Sequence, residues 1–179
     1  MTKAIPKTDE RLPVIGMGSW LTFSVDDDKS AREVRVQVLR AFFEGGGGMI
    51  DSSPMYGSSE EVIGYCLARL ANTRQLFAAT KVWTPLQWYG VRQMQYSEQL
   101  WGQGLFDLMQ VHNLWSWKTH LETLLEWKAD GRVRYIGVTT SHGRRHQELA
   151  KIMASAPIDF VQITYNVHDR EAERRLLPL

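Results

Sequence analysis

"MIDSSPMYGSSEEVIG", residues 49–64, is the stretch on which the fold is decided. An apolar pair, Met49 and Ile50, runs into Asp51, and Tyr56 follows five residues later. A helical pattern then begins at Ser58. Ser58 reads as an N-cap with Glu61 three residues on, the spacing of a capping box. Val62, Ile63, Cys66, Leu67 and Leu70 recur at helical spacing and form the apolar face. A short strand that ends in an acid, then a turn, then an amphipathic helix is one β-α unit.

The same unit recurs along the chain. Apolar runs appear at "PVIGMGSW", "GMIDSS", "QLFAATKVW", "GLFDLMQVHN", "RVRYIGVTT" and "IDFVQITYN". Each has a near-continuous apolar body, as strands buried on both faces of a parallel sheet do. Amphipathic stretches lie between them. "SAREVRVQVLRAFFEG" carries an apolar face of Val34, Val38, Ala41 and Phe42, and the glycines from Gly45 to Gly48 end it. "KTHLETLLEWKADG" carries Leu121, Leu124, Leu125 and Trp127 and ends at Gly131. "EAERRLLPL" starts a last helix, with Glu171 and Arg175 spaced for an i,i+4 pair.

Six strand–helix repeats predict a parallel sheet, either a doubly wound open sheet or a (β/α)8 barrel. A doubly wound dinucleotide binder carries G-x-G-x-x-G between its first strand and helix. Here "GMGSW" has two glycines, and Trp20 follows in place of a helix start. The polar residues argue for the barrel. Asp51, Lys81, His112 and Thr139 each close a different strand at its C-terminal end, and in a barrel those ends ring one mouth.

Composition narrows the class. The 179 residues carry a formal net charge of +1, with 44% hydrophobic and 23% charged residues. This is a globular balance that gives no electrostatic reason for a nucleic-acid or anionic-membrane partner. No apolar run approaches the roughly 18 residues of a membrane span. Cys66 is the single cysteine, so no intrachain disulfide forms. It sits on the apolar face of its helix, as an inert buried thiol does. The N-terminus lacks the pattern of a signal peptide. A cytoplasmic location is expected, with export after loss of an upstream leader left open.

The four strand-end groups make a chemical set. A tyrosine titrates near 10, so donating a proton near neutrality requires a cation that stabilises the phenolate. Lys81 is a candidate cation for Tyr56, and Asp51 is a candidate counter-charge that keeps a buried Lys81 ionised. His112 is placed to hydrogen-bond a substrate oxygen. Such a set donates a proton to a carbonyl becoming an alkoxide, and the hydride must come from a cofactor.

With "LPVIGMGSW" before them, "MIDSSPMYGSSEEVIG", "ATKVW" and "MQVHN" resemble the aldo-keto reductase family, whose catalytic tetrad is an Asp, a Tyr, a Lys and a His. The matches fall on Asp51, Tyr56, Lys81 and His112, in the family's order. The resemblance implies a single-domain (β/α)8 barrel of TIM type with an N-terminal hairpin, the cofactor NADP(H) with NAD(H) not excluded, and a small-molecule aldehyde or ketone as substrate. It implies Tyr56 as general acid, Lys81 as its tuner, Asp51 as the partner of Lys81 and a neighbour of the cofactor, and His112 as orienting donor. It further implies Gln162, Thr139, Thr140 and Asn166 against the nicotinamide. Trp20, Trp83 and Trp115 would line the substrate pocket.

A full barrel runs to about 250 residues, so six units leave two uncounted, and with them most of the grip on the cofactor's phosphates. Three accounts follow: a truncated piece of an enzyme, a half-protein completed by a partner, or exchange of strands with a second copy through open barrel edges. The alternatives to a reductase are an impaired barrel fragment and a non-catalytic nicotinamide-binding accessory protein. His142 and His146 have i,i+4 ligand spacing but no third ligand, so no metal is assigned. Arg144 and Arg145 between them are read as facing solvent.

Overall fold

The computed structural model describes residues 1–179. A two-stranded antiparallel hairpin comes first, β1 (Thr2–Ala4) with β2 (Arg11–Pro13). Six parallel strands follow: β3 (Met17–Gly18), β4 (Met49–Asp51), β5 (Phe77–Val82), β6 (Phe106–Val111), β7 (Val133–Thr139) and β8 (Phe160–Gln162). They pair strictly in chain order, β3-β4-β5-β6-β7-β8. A doubly wound sheet reverses its strand order at a switch point. Sequential order is instead that of a sheet curling toward closure, so the chain forms six units of a (β/α)8 barrel, with β3 and β8 as its edges.

Strand register sorts the side chains into two layers. Residues paired across a parallel sheet share a face, and successive residues alternate. Met49, Phe77, Ala79, Leu108, Tyr135 and Phe160 therefore point to the barrel interior. They pack with Ile5 and Leu12 of the hairpin region, which plugs the N-terminal end. Two or four residues further along each strand, the same face carries Asp51, Lys81, Gln110, Thr139 and Gln162. The opposite face, with Ile50, Ala78, Val82, Met109, Val111, Ile136 and Val138, joins the helices in the larger apolar core. The interior is thus greasy at one end and polar at the other, and the polar end is the mouth.

The outer helices are α1 (Lys29–Glu44), α2 (Ser59–Leu67), α3 (Gln87–Trp101), α4 (Trp117–Ala129), α5 (His146–Ser155) and α6 (Ala172–Arg175). None is long and apolar enough to cross a membrane. Asp28 caps α1 by accepting from the Ala31 amide at 2.9 Å, and Gly46, at φ +83°, turns the chain out of it. A left-handed residue there costs glycine little.

Three local expectations are corrected. The buried face of α1 is Arg32, Val36, Leu39 and Phe43, while Val34 and Val38 are exposed. Two stripes of helical period run along this helix, and the one with Leu39 and Phe43 offers more apolar surface. Arg32 tolerates burial because its guanidinium bonds the Asp26 carbonyl, Asp27 and Glu61. The Ser58 capping box does not form: the Ser58 hydroxyl accepts from the Asp26 amide instead, and Glu61 is taken by Arg32. The last helix is a single turn in which Glu171 lies 3.7 Å from His146, and Arg170 rather than Arg175 makes the acid–base pair, with Glu173.

Candidate active site

β5 places Lys81 on the interior face, fully buried. Its ammonium donates to Asp51 Oδ2 at 2.5 Å and to the Ser52 carbonyl at 2.7 Å. Asp51, the last residue of β4, also accepts from Gln110 Nε2 and Gln162 Nε2, each at 3.1 Å. One carboxylate thereby ties together β5, β6 and β8. Burial draws the Lys81 ammonium below the usual lysine range, against the opposing charge of Asp51.

Tyr56 sits in the turn between β4 and α2. Its amide donates to the Ser53 carbonyl, and its own carbonyl accepts from the Ser59 amide at 3.1 Å. The Lys81 nitrogen lies 5.4 Å from the centre of the Tyr56 ring. His112 meets that ring edge-on at 5.8 Å, and Trp20 lies at 6.5 Å. So the chain brings Asp51, Tyr56, Lys81 and His112 to one place. It does not acidify the phenol as the sequence reading expects. Burial, with the Asp51 charge added, pushes Tyr56 up to about 12. Lys81 directs two of its hydrogen bonds to Asp51 and Ser52, and none joins it to the Tyr56 hydroxyl.

His112 follows β6 directly and is buried. Its Nδ1 lies 2.9 Å from Ser53 Oγ. A Ser53 hydroxyl that donates to Nδ1 leaves the ring proton on the other nitrogen. We assign the proton of His112 to Nε2 on that network. Burial and the nearby Lys81 charge hold the imidazole down at about 4, so it is neutral at pH 7. A neutral ring with Nε2–H is a hydrogen-bond donor rather than an acid.

The residues expected around a nicotinamide are placed unevenly. Gln162 is exposed at the mouth with its amide donating to Asp51. Thr139 Oγ1 accepts from the Asn113 amide at 2.9 Å. Thr140 is buried and its hydroxyl has no partner, as is Asn113 Oδ1. Unpaired buried polar atoms at a mouth suit a ligand that supplies the missing bonds. Asn166 uses its Oδ1 to accept from the amides of His168 and Asp169 in its own turn. Of the aromatics, Trp83 and Trp115 pack edge to face at 4.7 Å, and Gln93 clamps both backbone groups of Trp83. Trp20 is largely exposed.

Sequence reasoning missed several members. Gln110 is one, and the signal for it was its place two residues before His112, in register with Lys81 on the neighbouring strand. Arg145 does not simply face solvent. It donates to the Asn113 carbonyl at 2.7 Å and pairs with Glu148, which accepts from Trp117 Nε1. That chain braces the loop behind His112. The loop needs bracing, because Asn113, Leu114 and Ser116 all hold positive φ, a cost for residues with a Cβ.

The comparisons with known proteins agree with this architecture. A model described as the Aldo/keto reductase family matches residues 14–179. The chain is 27% identical to the aldo-keto reductase YhdN of Bacillus subtilis, over 92% of this chain and 53% of that protein. It is 28% identical to the methylglyoxal reductase YeaE of Escherichia coli, over 95% of this chain and 60% of that one. It therefore spans less than two thirds of the length of either of these curated relatives. Among solved structures, a thermostable aldo-keto reductase in complex with the inhibitor epalrestat superposes with TM-score 0.80 at 29% identity, covering 98% of this chain and 66% of that one. An aldo/keto reductase from Klebsiella pneumoniae, solved with NADP and acetate, gives 0.77 at 23% identity over 95% and 60% of the two chains.

Proposed function

The chain belongs to the aldo/keto reductase family, and from that premise we propose that its mouth reduces aldehydes or ketones to alcohols with NADP(H) as cofactor. The observation that carries the reading is the Asp51–Lys81 ion pair at 2.5 Å, with Tyr56 and His112 packed around it. The cofactor, when bound, supplies the hydride that goes to the carbonyl carbon. Gln162 and the unpartnered Thr140 hydroxyl are the groups we assign to its carboxamide, with Thr139 fixing the loop beside them.

The protein's own residues manage the oxygen. His112 donates from Nε2 and fixes the carbonyl oxygen over Tyr56. The Tyr56 hydroxyl then gives its proton to that oxygen as negative charge develops there. The phenolate left behind faces Lys81, and solvent returns the proton. Lys81 stays charged for this because Asp51 stays beside it. Trp20, Trp83 and Trp115 form an aromatic wall for the organic part of the substrate.

One observation favours a second reading, a barrel that binds nicotinamide but turns over slowly. The hydrogen bonds of Lys81 go to Asp51 and Ser52 and none to the Tyr56 hydroxyl, and burial pushes that phenol up rather than toward the value a general acid wants near neutral pH. The test is NADPH oxidation followed by absorbance with a small aldehyde, with NADH in parallel, for the wild type and Tyr56→Phe. The reductase reading requires turnover by the wild type that Tyr56→Phe loses by a factor of about 100 or more. Equal rates in the two would exclude Tyr56 as the acid, and cofactor binding without turnover would establish the second reading.

A further inference from the structure

Glu60 lies in the first turn of α2, is 2% exposed, and takes no part in the chemistry above. Its carboxylate accepts three bonds: from Thr80 Oγ1 at 2.6 Å, Ser97 Oγ at 2.8 Å and Trp101 Nε1 at 3.2 Å. Thr80 belongs to β5 and immediately precedes Lys81. Because side chains alternate along a strand, Thr80 faces the helices while Lys81 faces the mouth. Ser97 and Trp101 belong to α3. A single buried carboxylate thus joins α2, β5 and α3, on the back of the strand that carries the ammonium.

Tyr56 is joined to the same point from the other side. Its carbonyl accepts from the Ser59 amide, one residue before Glu60. The turn that carries the phenol is therefore continuous with the turn that Glu60 anchors. We infer that Glu60 is a positioning residue, which fixes the Tyr56 turn against the Lys81 strand through Thr80 and so sets the spacing of phenol and ammonium. Burying a carboxylate is costly unless its lone pairs are met; burial does push Glu60 upward, against the pull of its three donors and of Lys81 across the strand. An aliphatic residue would fill this space without that cost, but it would not fix the register of helix and strand in the way directional bonds do.

The inference rests on the reductase reading for its kinetic arm only. Glu60→Ala removes the anchor, and Glu60→Gln keeps the shape and can still bond Thr80 and Ser97. In the kinetic arm, Glu60→Ala lowers kcat for aldehyde reduction about tenfold with KM unchanged, and Glu60→Gln restores most of it. In the second arm, hydrogen exchange read by mass spectrometry shows residues 53–59 exchanging at least tenfold faster in Glu60→Ala. There β6 keeps its protection, and Glu60→Gln behaves as wild type. A wild type without turnover sinks the reductase reading and leaves the exchange arm to decide. Should Glu60→Ala fail to fold, Thr80→Val cuts only the bond to β5 and is read the same way. The inference is overturned if the 53–59 segment of a folded variant exchanges as in the wild type, or if protection falls equally throughout the chain.

Discussion

Replacing Asp51 by Asn tests whether Lys81 is held by charge. Lys81 is fully buried, and its ammonium has Asp51 at 2.5 Å and the Ser52 carbonyl at 2.7 Å. Asp51→Asn keeps the shape of the side chain and removes the only opposite charge in contact. The ammonium is then left buried without a counter-ion, a change that costs roughly 3–5 kcal/mol. For a domain of this size each kcal/mol moves Tm by about 2–4 °C, so a fall on the order of 10 °C is expected in calorimetry near pH 7. Lys81→Met is the asymmetric counterpart. It leaves Asp51 at the mouth, still accepting from Gln110 and Gln162, and costs about 1.5–3 kcal/mol, the range for a lost charged hydrogen bond. The double variant removes both charges and lies well above the sum of the two losses, because neither ion is stranded. Equal and additive losses for the two single variants would refute the view that a stranded ammonium dominates.

Other outcomes follow from the same geometry. His112 has a folded value of about 4 against 6.5 when free. The unfolded chain therefore binds the extra proton first, and stability falls as pH drops from about 6.5 to about 4. At 1.36 kcal/mol per unit that is about 3 kcal/mol, and urea titrations across this range show it flattened in His112→Gln. A Cβ on Gly64 would stand 1.8 Å from the Leu100 carbonyl oxygen. Gly64→Ala thus forces α2 and α3 apart and costs about 1–3 kcal/mol in urea unfolding. On α1, Val36→Ala costs about 1–3 kcal/mol while Val34→Ala stays within about 0.5 kcal/mol; the reverse order would restore the face read from the sequence.

The residues that were legible are those whose position in an element fixes their role. Asp51, Lys81 and His112 each lie at or within one residue of a strand end, and strand ends can be read from where an apolar run stops. A parallel sheet in sequential order then brings them to one mouth without knowledge of any contact. The interior layer was legible for the same reason: Gln110 and His112, or Phe77, Ala79 and Lys81, follow the period of two. What failed were choices between equivalent local options. The α1 helix carries two stripes of helical period, and nothing local says that Arg32 will find Glu61 and make the second stripe the buried one. Ser58 has the composition of a cap, but its hydroxyl is claimed by the Asp26 amide, thirty-two residues away in the chain.

The phenol of Tyr56 is the case where element position is insufficient in principle. The sequence places an ammonium near a tyrosine, and from that alone acidification follows. The sign depends on what surrounds the phenol: its burial first, and then the charge of Asp51. The ammonium, 5.4 Å from the ring centre, is already paired with Asp51 at 2.5 Å, and burial followed by the Asp51 charge sets the direction, upward. Acidifying Tyr56 therefore needs a change that the ion pair alone does not supply. It requires either closer approach of the hydroxyl to Lys81 or a redirection of Asp51 toward Gln110 and Gln162. Glu60 holds the turn on which the first of these depends, and the two glutamines already hold the carboxylate on which the second depends. In the proposed reading, then, control of the phenol lies with residues behind it rather than beside it, and Glu60 shows in the sequence only as an ordinary helix acid.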